Sequence, residues 1–183
     1  MDKKRNVAID LLRVIAATLI VLHHYQQGVD ITFEHIKFYG GTFNFAYLVE
    51  LFFLISGVMV YKSVLDDHIT FKEFMSRRTN RIIPLLAISV FVETILRYIN
   101  DSIINNVGFS RDLLDIVINA LGLQSIGLIQ TESINQPTWY LSVLLLCYVW
   151  LFVCTKVSER LKIDKCYMYL FMMGIGIVTN TYI

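Results

Sequence analysis

Apolar residues in this chain gather in blocks of roughly twenty, the run a helix needs to cross a hydrocarbon core of about 30 Å. Inside a bilayer such a block has one usual answer, because its backbone polar groups must bond within the segment, as an α-helix allows. Five blocks stand out, at 7–27, 43–65, 82–98, 139–155 and 166–183. Charged residues make up 17% of the chain and hydrophobic ones 56%, against about a quarter charged in a soluble domain. The expected fold is therefore all-α, a polytopic transmembrane helical bundle of about five spans forming one domain over residues 1–183. A sixth apolar stretch, 113–129, is studded with Asp115, Asn119, Gln124 and two glycines. It falls short of a span and reads as an interfacial or re-entrant segment.

Charge gives the spans a direction, since cytoplasmic loops are enriched in Lys and Arg. Lys3, Lys4 and Arg5 precede the first span; Lys62, Lys72, Arg77, Arg78 and Arg81 follow the second; Lys156, Arg160, Lys162 and Lys165 follow the fourth. Of the 16 basic residues only Arg13, Lys37, Arg97 and Arg111 lie elsewhere. This alternation requires that 113–129 does not cross. It places the N-terminus in the cytoplasm and loops 28–42 and 99–137 outside, as in a multi-pass protein of the cell membrane.

Asp10 and Arg13 interrupt the first block and no small-residue cleavage site follows, so it reads as a retained helix and not a signal peptide. The last block ends at Ile183 without a polar flank, which reads as a partial protein. A net charge of +1 speaks against a nucleic-acid partner. Cys147, Cys154 and Cys166 show neither metal spacing nor a disulfide framework, and no His and carboxylate spacing suggests a metal site. Cys147 and Cys154 read as small packing residues on one helix face. Nothing in the sequence indicates an oligomeric state.

Ionisable residues inside a membrane are costly, so each is a functional candidate. At about 100° per residue, Arg13 lies about 60° from Asp10 and His24 about 20° from Arg13. Asp10, Arg13, Ala17, Ile20 and His24 thus form one stripe, with His23 turned about 100° from His24. Arg13 and His24 are about 16 Å apart along the axis, too far to act on one atom. In the second block Glu50 needs a partner or water. Its Ser56-Gly57 pair suits close helix approach, so Ser56 reads as a packing contact and not a nucleophile. Arg77, Arg78 and Arg81 precede a helix whose first turn holds Pro84. They offer fork-shaped donors suited to phosphate, and topology or anionic lipid alone would also place them there.

Together these motifs resemble the membrane-bound acyltransferase 3 family, whose members acylate sugars of polysaccharides, lipopolysaccharide, peptidoglycan or small glycosides. Arg13 followed by His24 is similar to the family's Arg, ten residues, His. Glu50-Leu51-Phe52-Phe53-Leu54-Ile55-Ser56-Gly57 resembles its acidic residue before Phe-Phe-x-x-Ser-Gly. Arg77 to Pro84 resembles its Arg-x-x-Arg loop, and Trp139-Tyr140-Leu141-Ser142-Val143 its Trp-x-Leu-Ser-Val signature. Many members continue that signature with Glu; here the residue is Leu144, so no acidic role is carried over. Family members usually have about ten spans, of which this chain would cover roughly the first half.

The resemblance implies transfer of an acyl group, acetyl in the expected case, from acyl-CoA to a carbohydrate hydroxyl, with no permanently bound cofactor. Arg78 and Arg81, with Arg77 as a spare, would hold the CoA phosphates. Arg13 would stabilise developing negative charge, and His24 would be the general base. Glu50 would orient His24 or balance Arg13; the residues alone leave both open. They also leave open an exporter or flippase of lipid-linked sugars, and an inactive fragment of an acyltransferase.

Overall fold

The structure, a computed structural model, describes residues 7–29, 32–33, 36–37, 44–66, 68–105, 112–125 and 134–182. Lys3, Lys4, Arg5 and Arg111, on which part of the charge alternation rests, lie outside the described residues. Among the described residues there are six α-helices: α1 Val7–Gly28, α2 Leu48–Val64, α3 Phe71–Tyr98, α4 Leu113–Ala120, α5 Trp139–Leu161 and α6 Lys165–Tyr182. A two-residue antiparallel ladder, β1 Thr32–Phe33 with β2 Ile36–Lys37, sits in the first loop and leaves the class all-helical.

Among the described residues three helices are long and apolar enough to cross a membrane: Val7–Gln26, Phe71–Ile104 and Trp139–Leu161. This is fewer than the five expected. The 17 residues of α2 reach only about 26 Å, and the last turn of α6 carries Thr179, Asn180 and Thr181. Two compact units divide the chain, Met1–Lys62 and Ser63–Ile183.

In the second unit, the expected loop around the three arginines is instead helix. Thr70 caps α3, its hydroxyl oxygen accepting from the Glu73 amide at 3.2 Å, in the Thr-x-x-Glu pattern of a capping box. The helix then runs 28 residues and continues as a π-helix over Ile99–Ile104, closed by the Asn105 amide on the Asn100 carbonyl. Pro84 therefore lies in its interior and not in a first turn. It removes the bond to the Asn80 carbonyl; proline is tolerated in apolar spans where neighbouring polar groups re-satisfy the backbone.

Of the 113–129 stretch expected as an interfacial or re-entrant segment, 126–129 lie outside the described residues; the rest holds α4, eight residues or about 12 Å. It ends at Gly122, whose φ of +68° is readily adopted only without a Cβ; an added Cβ would lie 3.0 Å from Leu86. Packing of α4 on α3 encloses Leu86, Val90 and Ile134, with Ile116, Ala120 and Leu141 against them.

Lipid is as apolar as leucine, so helices here are joined by packing and polar ties more than by the hydrophobic effect. Those ties are visible. Buried Asn119 donates to the Asp115 carbonyl at 2.8 Å and accepts from the Ile134 amide at 3.1 Å. Arg97 bridges Glu93 at 2.9 Å and donates to the Ile134 carbonyl at 3.1 Å. Asn135 donates to Ser89 Oγ, and Gln124 to Thr138 Oγ1 at 3.2 Å. The segment before α5 is thus held to the far end of α3.

The most enclosed candidate span is α5, with 39% of its apolar window covered against 11% for α1 and for α3. Its covered stripe, Ser142, Leu145, Tyr148, Phe152, Thr155 and Ser158, follows the spacing of one helix face. The helix stops at Lys162, which takes a left-handed φ of 56°. The Lys162 amide bonds the Glu159 carbonyl and the Ile163 amide the Ser158 carbonyl at 3.1 Å, a Schellman closure. Asp164 then caps α6 through the Cys166 amide at 2.8 Å. Thr155 and Tyr169 share a hydrogen bond of 2.8 Å between α5 and α6.

Candidate functional site

In the first unit the polar residues of α1 divide between a covered and a flanking face. Ala16, His23 and Gln26 are buried, at 2%, 7% and 3% exposed, whereas Asp10, Arg13 and His24 are half-buried and Ala17 is exposed. The covered face thus sits roughly 90° around the helix from the stripe drawn through Arg13 and His24. A helical wheel fixes which residues share a side; it does not say on which side protein lies. Arg13 Nη2 points to the sulfur of Met59 on α2 at 2.9 Å. The His23 and His24 rings meet edge to face with centroids 5.7 Å apart. Gln26 Oε1 is buried with no hydrogen-bond partner among the described residues.

Glu50 lies exposed in the first turn of α2. Among the described residues no hydrogen bond or ion pair joins its carboxylate to Arg13 or His24. Ser56 is half-buried, and a Cβ added at Gly57 would meet open space, so among the described residues nothing presses on Gly57.

In the second unit the arginines occupy successive turns of one continuous helix and take two environments. Arg77 and Arg81, four residues apart on one side of α3, are exposed. Arg77 makes a 3.4 Å ion pair with Glu73, the two side chains 61% and 56% exposed. At that exposure solvent and salt leave such a pair worth well under about 1 kcal/mol, so Arg77 can exchange it for another anion. Arg78 turns inward. Its guanidinium carbon stands 3.6 Å over the Phe74 ring and 5.5 Å from that of Tyr148 on α5, and Nη1 donates to the Phe74 carbonyl. Its buried Nε has no hydrogen-bond partner among the described residues. Arg78 thus ties α3 to α5, while its neighbours face outward.

Tyr148 and Phe74, the rings that hold Arg78, are the residues sequence reasoning missed. Spacing offered a signal for one of them: Phe74 lies four residues before Arg78, the distance at which helix side chains meet. Nothing pointed to Tyr148, which comes from another helix. At the start of α5, Ser142 of the Trp139–Val143 motif is fully buried and its hydroxyl has no partner among the described residues, although a helical serine commonly bonds the carbonyl four residues back. Among the described residues no group of three or more His, Cys, Asp or Glu side chains could hold a metal ion.

Compared with known proteins, the chain matches a family model described as an acyltransferase domain over residues 6–183. No curated protein and no solved structure matches it.

Proposed function

The chain belongs to the acyltransferase 3 family, and from that premise we propose that it moves an acyl group, acetyl in the simplest case, from acyl-CoA to a hydroxyl of a cell-surface carbohydrate. The family match across nearly the whole chain carries this reading. Its support within the molecule is a set of cations suited to a phosphorylated donor beside apolar helices that keep the chain in a bilayer.

Arg77 and Arg81 bind the CoA phosphates, because exposed guanidinium forks match phosphate oxygens two at a time. Arg78 sets the register of α3 on α5 from which those forks project. His24 accepts the proton of the acceptor hydroxyl; the freed oxygen attacks the thioester carbonyl, and the carbon–sulfur bond breaks to release CoA as thiolate. Arg13, about 16 Å from His24 along the helix, serves a different step, offsetting the donor's negative charge where its pantetheine arm enters. Glu50, with no direct ion pair to Arg13, offsets that cation's charge from the next helix of the same unit. The basic ends face the cytoplasm, where acyl-CoA is made.

Purified protein in detergent, titrated with acetyl-CoA, tests this directly. Arg77→Ala with Arg81→Ala should weaken binding about thirtyfold, two phosphate contacts at about 1 kcal/mol each. An exporter of lipid-linked sugars needs no CoA site, so a protein that neither binds acetyl-CoA nor releases its thiol refutes the proposal.

A further inference from the structure

At the end of the second unit that carries the α5–α6 turn, an apolar groove of about 400 Å³ is lined by Phe71 of α3 and by Phe152, Val153, Lys156, Val157 and Arg160 of α5. The α5 residues fall at i, i+1, i+4, i+5 and i+8, one continuous strip of helix surface. Phe71 closes the other side, its ring edge to face with that of Phe152 at 5.4 Å between centroids. The floor is therefore rigid and aromatic, and both cations stand at one end of it. Lys156 Nζ lies 5.9 Å from the Phe152 ring centre and is held by Glu159 at 2.9 Å, a carboxylate also taken by Lys165 at 2.8 Å. Two lysines share that single acid, and among the described residues Arg160 has no ion pair.

Depth in the bilayer follows from length. The hydrocarbon core takes about twenty helical residues, and α5 has 23, Trp139–Leu161. Its last turns, from Lys156 on, therefore lie at headgroup level, while Val153 and Phe152 lie at the edge of the acyl region. Phe71, the first residue of α3, reaches the same level through its ring contact with Phe152. A ligand fitting this groove carries an anion at one end and hydrocarbon at the other, in that order across the interface. Basic pockets between helices at this depth bind acidic lipid headgroups.

We propose that the groove is a binding site for an anionic phospholipid, with its phosphate on Arg160 and Lys156 and an acyl chain along Val157, Val153 and Phe152. The site stands independently of acyl transfer: it uses none of the groups assigned to that reaction. Its occupant would seal the seam between α3 and α5 just below the Arg78 clamp.

The experiment reconstitutes the full chain in nanodiscs of phosphatidylcholine containing a minor share of phosphatidylglycerol. Lipid retained after transfer to detergent is then counted by native mass spectrometry. Wild-type protein should keep phosphatidylglycerol in preference to phosphatidylcholine. Arg160→Gln, an exposed change that breaks no ion pair, should cut that preference about fivefold, the effect of one interfacial cation on an acidic headgroup. Val157→Ser should lower it by shortening the apolar wall. Lys162→Asn, a charge loss just outside the groove, should leave it unchanged. Equal retention of both lipids by wild type overturns the proposal. So does an equal loss in Lys162→Asn, which would mean diffuse attraction and not a site. Complete displacement of phosphatidylglycerol by palmitoyl-CoA would assign the groove to the acyl donor and overturn it as well.

Discussion

Replacing Arg78 by alanine should cost the fold more than replacing either of its neighbouring arginines, and the structure lets the cost be worked out. The guanidinium at 3.6 Å from the Phe74 ring centre is a close cation–π contact, worth about 1 kcal/mol at a half-buried site. Its bond to the Phe74 carbonyl adds a charge-assisted hydrogen bond of about 1.5 kcal/mol. That carbonyl also accepts the helical amide bond from Arg78 itself, so truncation does not leave it orphaned and the full penalty does not apply. The net loss is about 2 kcal/mol, some thirtyfold in the folded-to-unfolded ratio. Arg78→Lys keeps the charge over the ring and loses the planar fork, so it should recover about half. Arg77→Ala and Arg81→Ala, both exposed, should change stability by less than about 0.5 kcal/mol. Unfolding by denaturing detergent at fixed protein and lipid concentrations reads these differences, with acetyl-CoA affinity measured on the same samples. Arg78→Ala as stable as Arg81→Ala, with equal loss of acetyl-CoA binding in both, would refute the clamp and return Arg78 to the phosphate site.

Thr70→Ala removes the α3 cap and should destabilise by about 1 kcal/mol, with fraying of Phe71–Glu73 seen as faster amide exchange there. Asn119→Leu abolishes both buried hydrogen bonds and strands the Ile134 amide, a loss of about 2–3 kcal/mol by the same unfolding assay. Lys162→Gly relieves a left-handed residue and should stabilise by about 1 kcal/mol; a loss instead would show that Lys162 contributes through its charge. His24→Ala should abolish acyl transfer in the full-length protein. His23→Ala should keep turnover per folded molecule while lowering the yield of folded protein, because His23 is enclosed; equal loss of turnover in both would remove the basis for choosing His24.

The family and the helical class were legible in the sequence because both rest on local patterns: apolar blocks of membrane length, and short motifs in fixed order. What stayed hidden depended on contacts between distant residues. The start of α3 was read eleven residues late. Three arginines and a proline looked like a loop with a helix behind it, though Thr70-Phe71-Lys72-Glu73 already carried the signature of a cap. Once that nucleus is set, Pro84 costs one hydrogen bond and no more than a local adjustment. Within the described part of the 113–129 stretch the helix closes after the eight residues of α4, because Gly122 turns the chain where apolar composition alone continues. On α1 the sequence joined Arg13 to His24 correctly as neighbours on one side, yet which side is covered depends on what packs there. The role of Arg78 needed Tyr148, seventy positions on, and no pattern within α3 announces it.

The turn between α5 and α6 bears on how the two helices act together. Only Lys162, Ile163 and Asp164 separate the two helices, and backbone bonds within the turn and the Asp164 cap satisfy its polar groups locally. A connection that short holds the start of α6 against the end of α5, and the Thr155–Tyr169 bond fastens the pair two turns further along, so the two helices behave as one hairpin and not as separate elements.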